Sequence, residues 1–122
     1  NVNVGKDSRI GNFVELKNSS LENDVKISHL SYIGDAEIQD SANIGAGTIT
    51  CNYDGVNKHK TTIGKRSFIG SNTSLIAPIN IGNDASIAAG SSISKDVDSN
   101  SLAITRAPIR FITNWSKKFK KR

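Results

Sequence analysis

The chain has 122 residues, 36% of them apolar and 22% charged, which fits one domain with a thin core. It holds no run of about 18 apolar residues and no apolar leader, so the reading is of a soluble, cytoplasmic protein with no membrane partner. The net charge of +5 is local to Lys117, Lys118, Lys120, Lys121 and Arg122, so the body offers no basic face for nucleic acid, and the single Cys51 excludes an internal disulfide framework.

From the first residues, aliphatic side chains recur at a fixed step. Val4, Ile10 and Leu16 are six apart; a five-residue step leads to Leu21, then Ile27 and Ile33; another leads to Ile38, then Ile44. From Ile63 every step is six, through Ile69, Leu75, Ile81 and Ile87 to Ile93. All fourteen rungs are Ile, Leu or Val, and ten are Ile. A period of six is neither the 2 of an ordinary strand nor the 3.6 of a helix. It is the mark of a hexapeptide solenoid, in which three short strands make one triangular coil. Coils stack at about 4.8 Å, and residues 1–100 suffice for about five of them.

Two further regularities accompany the ladder. A small residue often sits two before the rung, as Ser8, Ala36, Ala42, Ser67, Thr73, Ala85 and Ser91 do, leaving room for the aliphatic beside it. Glycine often follows the rung, as Gly5, Gly11, Gly34, Gly45, Gly64, Gly70 and Gly82 do. We read these glycines as corner residues, because glycine takes the backbone angles of a tight corner without steric cost.

The pattern is interrupted three times, and solenoids carry function at interruptions. Between Leu16 and Ser31 the rungs persist but the following glycine is replaced by Lys17, Glu22 and Ser28. Between Ile44 and Ile63 the spacing is 19, and Asn52-Tyr53-Asp54-Gly55 is a turn signal. Residues 51–62 are therefore expected to project as a loop, with Thr50 as the third rung of that coil. After Ile93 the pattern stops. Residues 101–122 are expected to form a non-repeating arm, helix or strap, whose Phe111, Trp115 and Phe119 pack on the solenoid or on a neighbouring copy. The basic tail is then solvated or helps attract an anionic ligand. The chain has no methionine and starts at Asn1 with the ladder already in register, so a longer parent with upstream coils is expected.

Two motifs are specific. One is His29-Leu30-Ser31-Tyr32-Ile33-Gly34-Asp35-Ala36-Glu37; the other runs from Asn43-Ile44-Gly45-Ala46 to Asn52-Tyr53-Asp54-Gly55. With Gly11-Asn12-Phe13-Val14-Glu15-Leu16-Lys17 and Ala103-Ile104-Thr105-Arg106, they closely resemble the C-terminal domain of the bacterial bifunctional N-acetylglucosamine-1-phosphate uridyltransferase/glucosamine-1-phosphate acetyltransferases. The likeness covers residues 2–108. It implies an all-β fold, a left-handed parallel β-helix, assembled as a homotrimer. It also implies acetyl transfer from acetyl-CoA to the 2-amine of glucosamine 1-phosphate, for UDP-N-acetylglucosamine, peptidoglycan and lipopolysaccharide synthesis. The family's uridyltransferase domain, with its magnesium site, is not in these residues.

The resemblance also assigns roles. His29 matches the proton acceptor, and an imidazole suits that task near neutral pH. Glu15 resembles the carboxylate that orients it. Lys17, Tyr32, Asn43 and Lys58 match the residues that hold the amino-sugar phosphate, with Lys58 on the loop and able to serve a neighbouring subunit. A further arginine, expected one coil before Lys17, precedes Asn1. Ala46, Asn52, Tyr53, Ser71, Ala89 and Arg106 match the acetyl-CoA contacts. Small Ala46 and Ala89 let a pantetheine arm lie close, and Arg106 meets a CoA phosphate. Cys51 reads as a small, partly buried residue, since direct transfer needs no covalent intermediate. Three rivals remain. Another hexapeptide acyltransferase would lack the Asn52–Gly55 segment and the Arg106 arm. A trimeric zinc carbonic anhydrase needs three histidine ligands, whereas His29 and His59 are the only histidines, so no metal is expected. A non-catalytic solenoid would lack the breaks.

Overall fold

In the computed structural model, which describes residues 1–119, the chain winds as a three-sided solenoid of short parallel strands. The first coil carries β1 (Val2–Val4), β2 (Arg9–Ile10) and β3 (Glu15–Lys17). The second carries β4 (Ser19–Leu21), β5 (Lys26–Ile27) and β6 (Tyr32–Gly34), and the third β7 (Ala36–Ile38), β8 (Asn43–Ile44) and β9 (Ile49–Cys51). The fourth carries β10 (Thr61–Ile63), β11 (Phe68–Ile69) and β12 (Ser74–Ile76), and the fifth β13 (Ile79–Ile81), β14 (Ser86–Ile87) and β15 (Ser92–Ile93). A partial sixth coil ends with β16 (Leu102–Ala103).

Each face of the prism is one parallel sheet. The first face runs β1-β4-β7-β10-β13, the second β2-β5-β8-β11-β14-β16, and the third β3-β6-β9-β12-β15. The register places rung on rung, Leu21 beside Ile38 beside Ile63 beside Ile81, so equal side chains stack inside. From Leu21 to Ile93 every aliphatic rung is buried. The first coil has a neighbour on one side only, and Val4 and Ile10 are 47% and 41% exposed. Thr50 takes the expected rung: it is buried opposite Leu75, and its Oγ1 accepts a hydrogen bond from Gly34 N at 2.7 Å. A buried hydroxyl there satisfies an amide that an isoleucine would leave unpaired.

Two features differ from the sequence reading. The ladder does not stop at Ile93: buried Val97 pairs with Ile81, and Ala103 pairs with Ile87. The four-residue step to Val97 and the small Ala103 hid these rungs. The glycines after the rungs do not make the corners either. Positive φ falls instead on Asp7, Asp24, Ser41, Arg66 and Asp84 at one corner, on Phe13, Leu30, Gly47, Asn72 and Gly90 at the next, and on Asn18 and Asp35 at the third. The rung-following glycines serve close approach: a Cβ on Gly45 would lie 2.6 Å from Ser71 N, and one on Gly70 would strike Ala89 N. Adjacent coils there leave no space for a side chain.

Beyond β16 the chain is irregular until a short 3-10 helix, Trp115–Phe119. Phe111 is 85% exposed and Trp115 52%, so Phe111 finds no packing on this chain's solenoid. The side chain of Phe119 and the basic residues Lys120, Lys121 and Arg122 fall outside the described residues. No helix among the described residues is long and apolar enough to cross a membrane.

Candidate active site

The corner between the second and third faces stacks one residue of each coil directly over the last. Leu30 N donates to Asn12 O, Gly47 N to His29 O, Asn72 N to Ala46 O, and Gly90 N to Ser71 O, at 2.8–3.1 Å. Asn12, His29, Ala46, Ser71 and Ala89 are therefore equivalent positions on successive coils. Arg106 closes the column, with Nη1 donating to Ala89 O at 3.3 Å. From His29 to Ala89 is three coil steps, roughly 14 Å at about 4.8 Å per step. Above the imidazole the column presents only two methyl groups and a hydroxymethyl, then a guanidinium. That is an open track with an imidazole at one end and a guanidinium at the other.

His29 is exposed, and among the described residues its ring makes no hydrogen bond or ion pair. It shares an open cleft of about 340 Å³ with Arg9, Lys26, Ser28 and Asn43. Asn43 belongs to β8 on the second face, paired with Lys26 and Phe68. Glu15 and Tyr32 lie side by side across the β3–β6 pair, at the edge of the third face nearest this corner. No hydrogen bond or ion pair joins Glu15 to His29 among the described residues.

The corner between the third and first faces is built differently. Here the chain inserts a loop, shorter than the expected 51–62 because Cys51 pairs in β9 and Thr61 and Thr62 pair in β10, and closed by an antiparallel bridge between Tyr53 and Lys58. Asp54 holds the loop together. Its Oδ1 accepts from Val56 N and Asn57 N at 2.8 and 2.6 Å, and its Oδ2 lies 2.7 Å from His59 Nε2. The His59 contact, with those two amides, pulls the Asp54 carboxyl down to about 2. An acceptor-only carboxylate requires the proton on Nε2. Tyr53 is exposed, its hydroxyl donating to Gly55 O at 2.8 Å. Lys60 Nζ pairs with Glu37 Oε1 at 2.6 Å.

Beneath the loop lies a cluster centred on Asp35. Asn18 Nδ2 donates to Asp35 Oδ1 and Asn52 Nδ2 to Asp35 Oδ2, both at 2.7 Å. The same Asn52 nitrogen reaches the Tyr32 hydroxyl at 3.2 Å. The Asn18 bond, then the Asn52 bond, and the nearby charges of Lys58 and Lys17 hold the Asp35 carboxyl below its ordinary range. An open cavity of about 400 Å³ at this corner is lined by Asn18, Asp35, Glu37, Lys58, His59 and Lys60, among others.

The structure thus gathers His29, Ala46, Ser71, Ala89 and Arg106 at one corner, and Lys17, Tyr32, Asn52 and Lys58 around Asp35 at the other. Asp35 and Asn18 were missed from sequence. Each sits at a corner position with φ of 51° and 49°, where Asp and Asn recur simply as residues that tolerate that conformation, so nothing set these two apart. Cys51 is half-buried with a free thiol.

Residues 60–95 match the family model described as the hexapeptide repeat of succinyl-transferase. The chain is similar to the bifunctional protein GlmU of Thermodesulfovibrio yellowstonii, with 58% identity over 97% of this chain and 26% of that protein. It is similar also to GlmU of Oleidesulfovibrio alaskensis, with 61% identity over 83% of this chain and 22% of that protein. The chain therefore spans about a quarter of the length of these curated relatives. Among solved structures, the acetyltransferase domain of PglB from Neisseria gonorrhoeae, in complex with acetyl coenzyme A, superposes with a TM-score of 0.77 at 18% identity, over 85% of this chain and 48% of that one. At that identity the match speaks for the fold.

Proposed function

We propose that this chain transfers the acetyl group of acetyl-CoA to the 2-amine of glucosamine 1-phosphate. One observation carries the reading: the corner column that runs from Arg106 over Ala89, Ser71 and Ala46 to the unengaged imidazole of His29. The high identity to the bifunctional relatives across nearly the whole chain supports the same conclusion.

The pantetheine arm follows the column, with the CoA phosphates near Arg106 and the thioester near His29. The sugar amine attacks the thioester carbonyl, the new C–N bond forms, and the C–S bond breaks to release CoA as a thiolate, which solvent protonates. His29 takes the proton that the amine must lose, as a general base. Glu15, one strand away from Tyr32 at the same edge, orients the imidazole once substrate closes the site. Lys17, Tyr32, Asn43 and Lys58 hold the sugar phosphate through charge and hydrogen bonds. Asn52 and Tyr53, at the loop corner, reach acetyl-CoA that lies on a neighbouring chain's column. In this reading the chains assemble as a homotrimer in which the loop carrying Lys58 serves a neighbour's site. The setting is cytoplasmic synthesis of UDP-N-acetylglucosamine, the uridyltransferase step and its magnesium belonging to a domain outside these residues.

Thiol release from acetyl-CoA, measured with glucosamine 1-phosphate, glucosamine and glucosamine 6-phosphate in parallel, tests the reading. Turnover is expected with the 1-phosphate well above the other two. Absent turnover, or equal rates on all three, overturns it.

A further inference from the structure

We propose that Asp35 is a positioning residue that fixes the Tyr32 hydroxyl as a hydrogen-bond donor toward the sugar phosphate. The proposal rests on the reading above for the identity of that phosphate; the hydrogen-bond polarity it uses does not.

A carboxylate only accepts. Asp35 Oδ2 is 2.7 Å from the Asn52 side-chain amide, so the atom facing it must be the Nδ2 donor. The usual ambiguity between amide oxygen and nitrogen is removed by the chemistry of its neighbour. That same nitrogen is 3.2 Å from the Tyr32 hydroxyl, so there too it donates and the hydroxyl oxygen accepts. The proton of the Tyr32 O–H is then left free to point outward. Gly34 helps: a Cβ there would collide with the Tyr32 hydroxyl, so the ring can lie along its own strand toward Asn52 only because position 34 has no side chain.

Asp35 is itself held firmly. Its other oxygen takes Asn18 Nδ2 at 2.7 Å, its N–H donates to Lys17 O at 3.0 Å, and its carbonyl accepts from Thr61 N at 3.1 Å. It therefore joins the strand carrying Lys17, the start of the loop at Asn52 and the end of the loop at Thr61. Its lowered pKa keeps the carboxylate ionised through the neutral range.

Asp35→Asn is the informative change. Asparagine tolerates the left-handed backbone at this position, φ 51°, and keeps the shape. It replaces one acceptor by a donor, so two acceptor oxygens no longer compel the Asn52 amide to face its nitrogen to Tyr32, and its oxygen is free to turn that way. Tyr32 then donates inward, and the phosphate loses that donor. The expected result is a rise of about tenfold in KM for glucosamine 1-phosphate, the loss of one hydrogen bond to a charged group, with kcat nearly unchanged. In a Tyr32→Phe background the same substitution is expected to add nothing, because it acts through the hydroxyl that is already gone.

An unchanged KM, or an effect that adds in full to that of Tyr32→Phe, overturns the proposal. Should Asp35→Asn lower the melting temperature too far to assay, Asn52→Ala serves in its place. It is expected to raise the KM for glucosamine 1-phosphate in the parent and not in Tyr32→Phe, and additivity there counts equally against the proposal. A parent chain that fails to turn over glucosamine 1-phosphate at all overturns the functional reading and this role of Tyr32 together. A parent that turns over while Asp35→Asn is silent overturns the role of Asp35 alone.

Discussion

The two corners that flank the third face use opposite materials. At the His29 corner the repeat is unbroken. Main-chain hydrogen bonds run from coil to coil, and the residues above the imidazole are Ala46, Ser71 and Ala89. At the Asp35 corner the repeat is interrupted by the loop, and side chains carry the structure through Asn18, Asn52, Tyr32, Asp54 and His59. The difference teaches how a solenoid divides its labour. On the proposed reading, regular backbone with small side chains makes a straight track for a long flexible ligand. The interruption then gathers the polar groups that recognise a compact, charged one.

Substitutions should separate the two corners. The largest effect is expected from His29→Ala, which removes the base while leaving its exposed corner intact. The rate of thiol release should fall about 10²- to 10⁴-fold with the melting temperature unchanged. A variant as active as the parent would move the chemistry away from the repeat corner.

Next comes the track itself. Gly70→Ala places a Cβ against the backbone of Ala89, 2.7 Å from its Cα, and two coils must part. A loss of about 1–3 kcal/mol in denaturant unfolding is expected, the usual cost of overpacking. Gly55→Ala, on the loop, has nothing within 4 Å and carries only the strain of its φ of 98°. It should cost about 1 kcal/mol. A smaller loss at Gly70→Ala than at Gly55→Ala would mean that the coils are not tightly stacked at this corner.

Arg106→Ala sharpens the contrast between ligands. The KM for acetyl-CoA should rise about tenfold, the loss of one charge-assisted contact, while the KM for the sugar phosphate stays put. Truncating residues 101–122 would be a poorer test, because β16 completes the second face over β14.

The smallest effect concerns pH. Asp54 is lowered from 3.8 to about 2 by His59 and the loop amides, so the folded loop favours its ionised form. That contribution is fully present above about pH 4 and is lost as pH falls through about 2. The melting difference between the parent and Asp54→Asn should therefore shrink steadily from pH 5 to pH 2. A constant gap would show that the Asp54 carboxylate does not hold the loop.

Much of this was legible beforehand. The isoleucine ladder, the rung at Thr50 and the presence of a loop after it follow from spacing alone, because stacked coils repeat their inward positions; the loop's bounds do not, since Cys51, Thr61 and Thr62 belong to strands. The glycines were misread, since spacing reveals that a residue must be small but not whether a corner angle or a neighbouring coil demands it. Val97 and Ala103 were missed because a four-residue step and a small rung both break the pattern. Asp35 could not be singled out, because an aspartate that fills a left-handed corner and one that orients an amide look alike in sequence. Glu15 was placed beside His29 by resemblance. Among the described residues no hydrogen bond or ion pair joins the two, and Glu15 pairs across the strands with Tyr32 instead.

The central claim is that acetyl-CoA lies along the small-residue column with its thioester beside His29. A crystal structure of the chain with acetyl-CoA bound tests this most directly. The account predicts pantetheine running past Ala89, Ser71 and Ala46, with the acetyl group next to the imidazole. A thioester seated at the Asp35 corner, with the column bare, would contradict it.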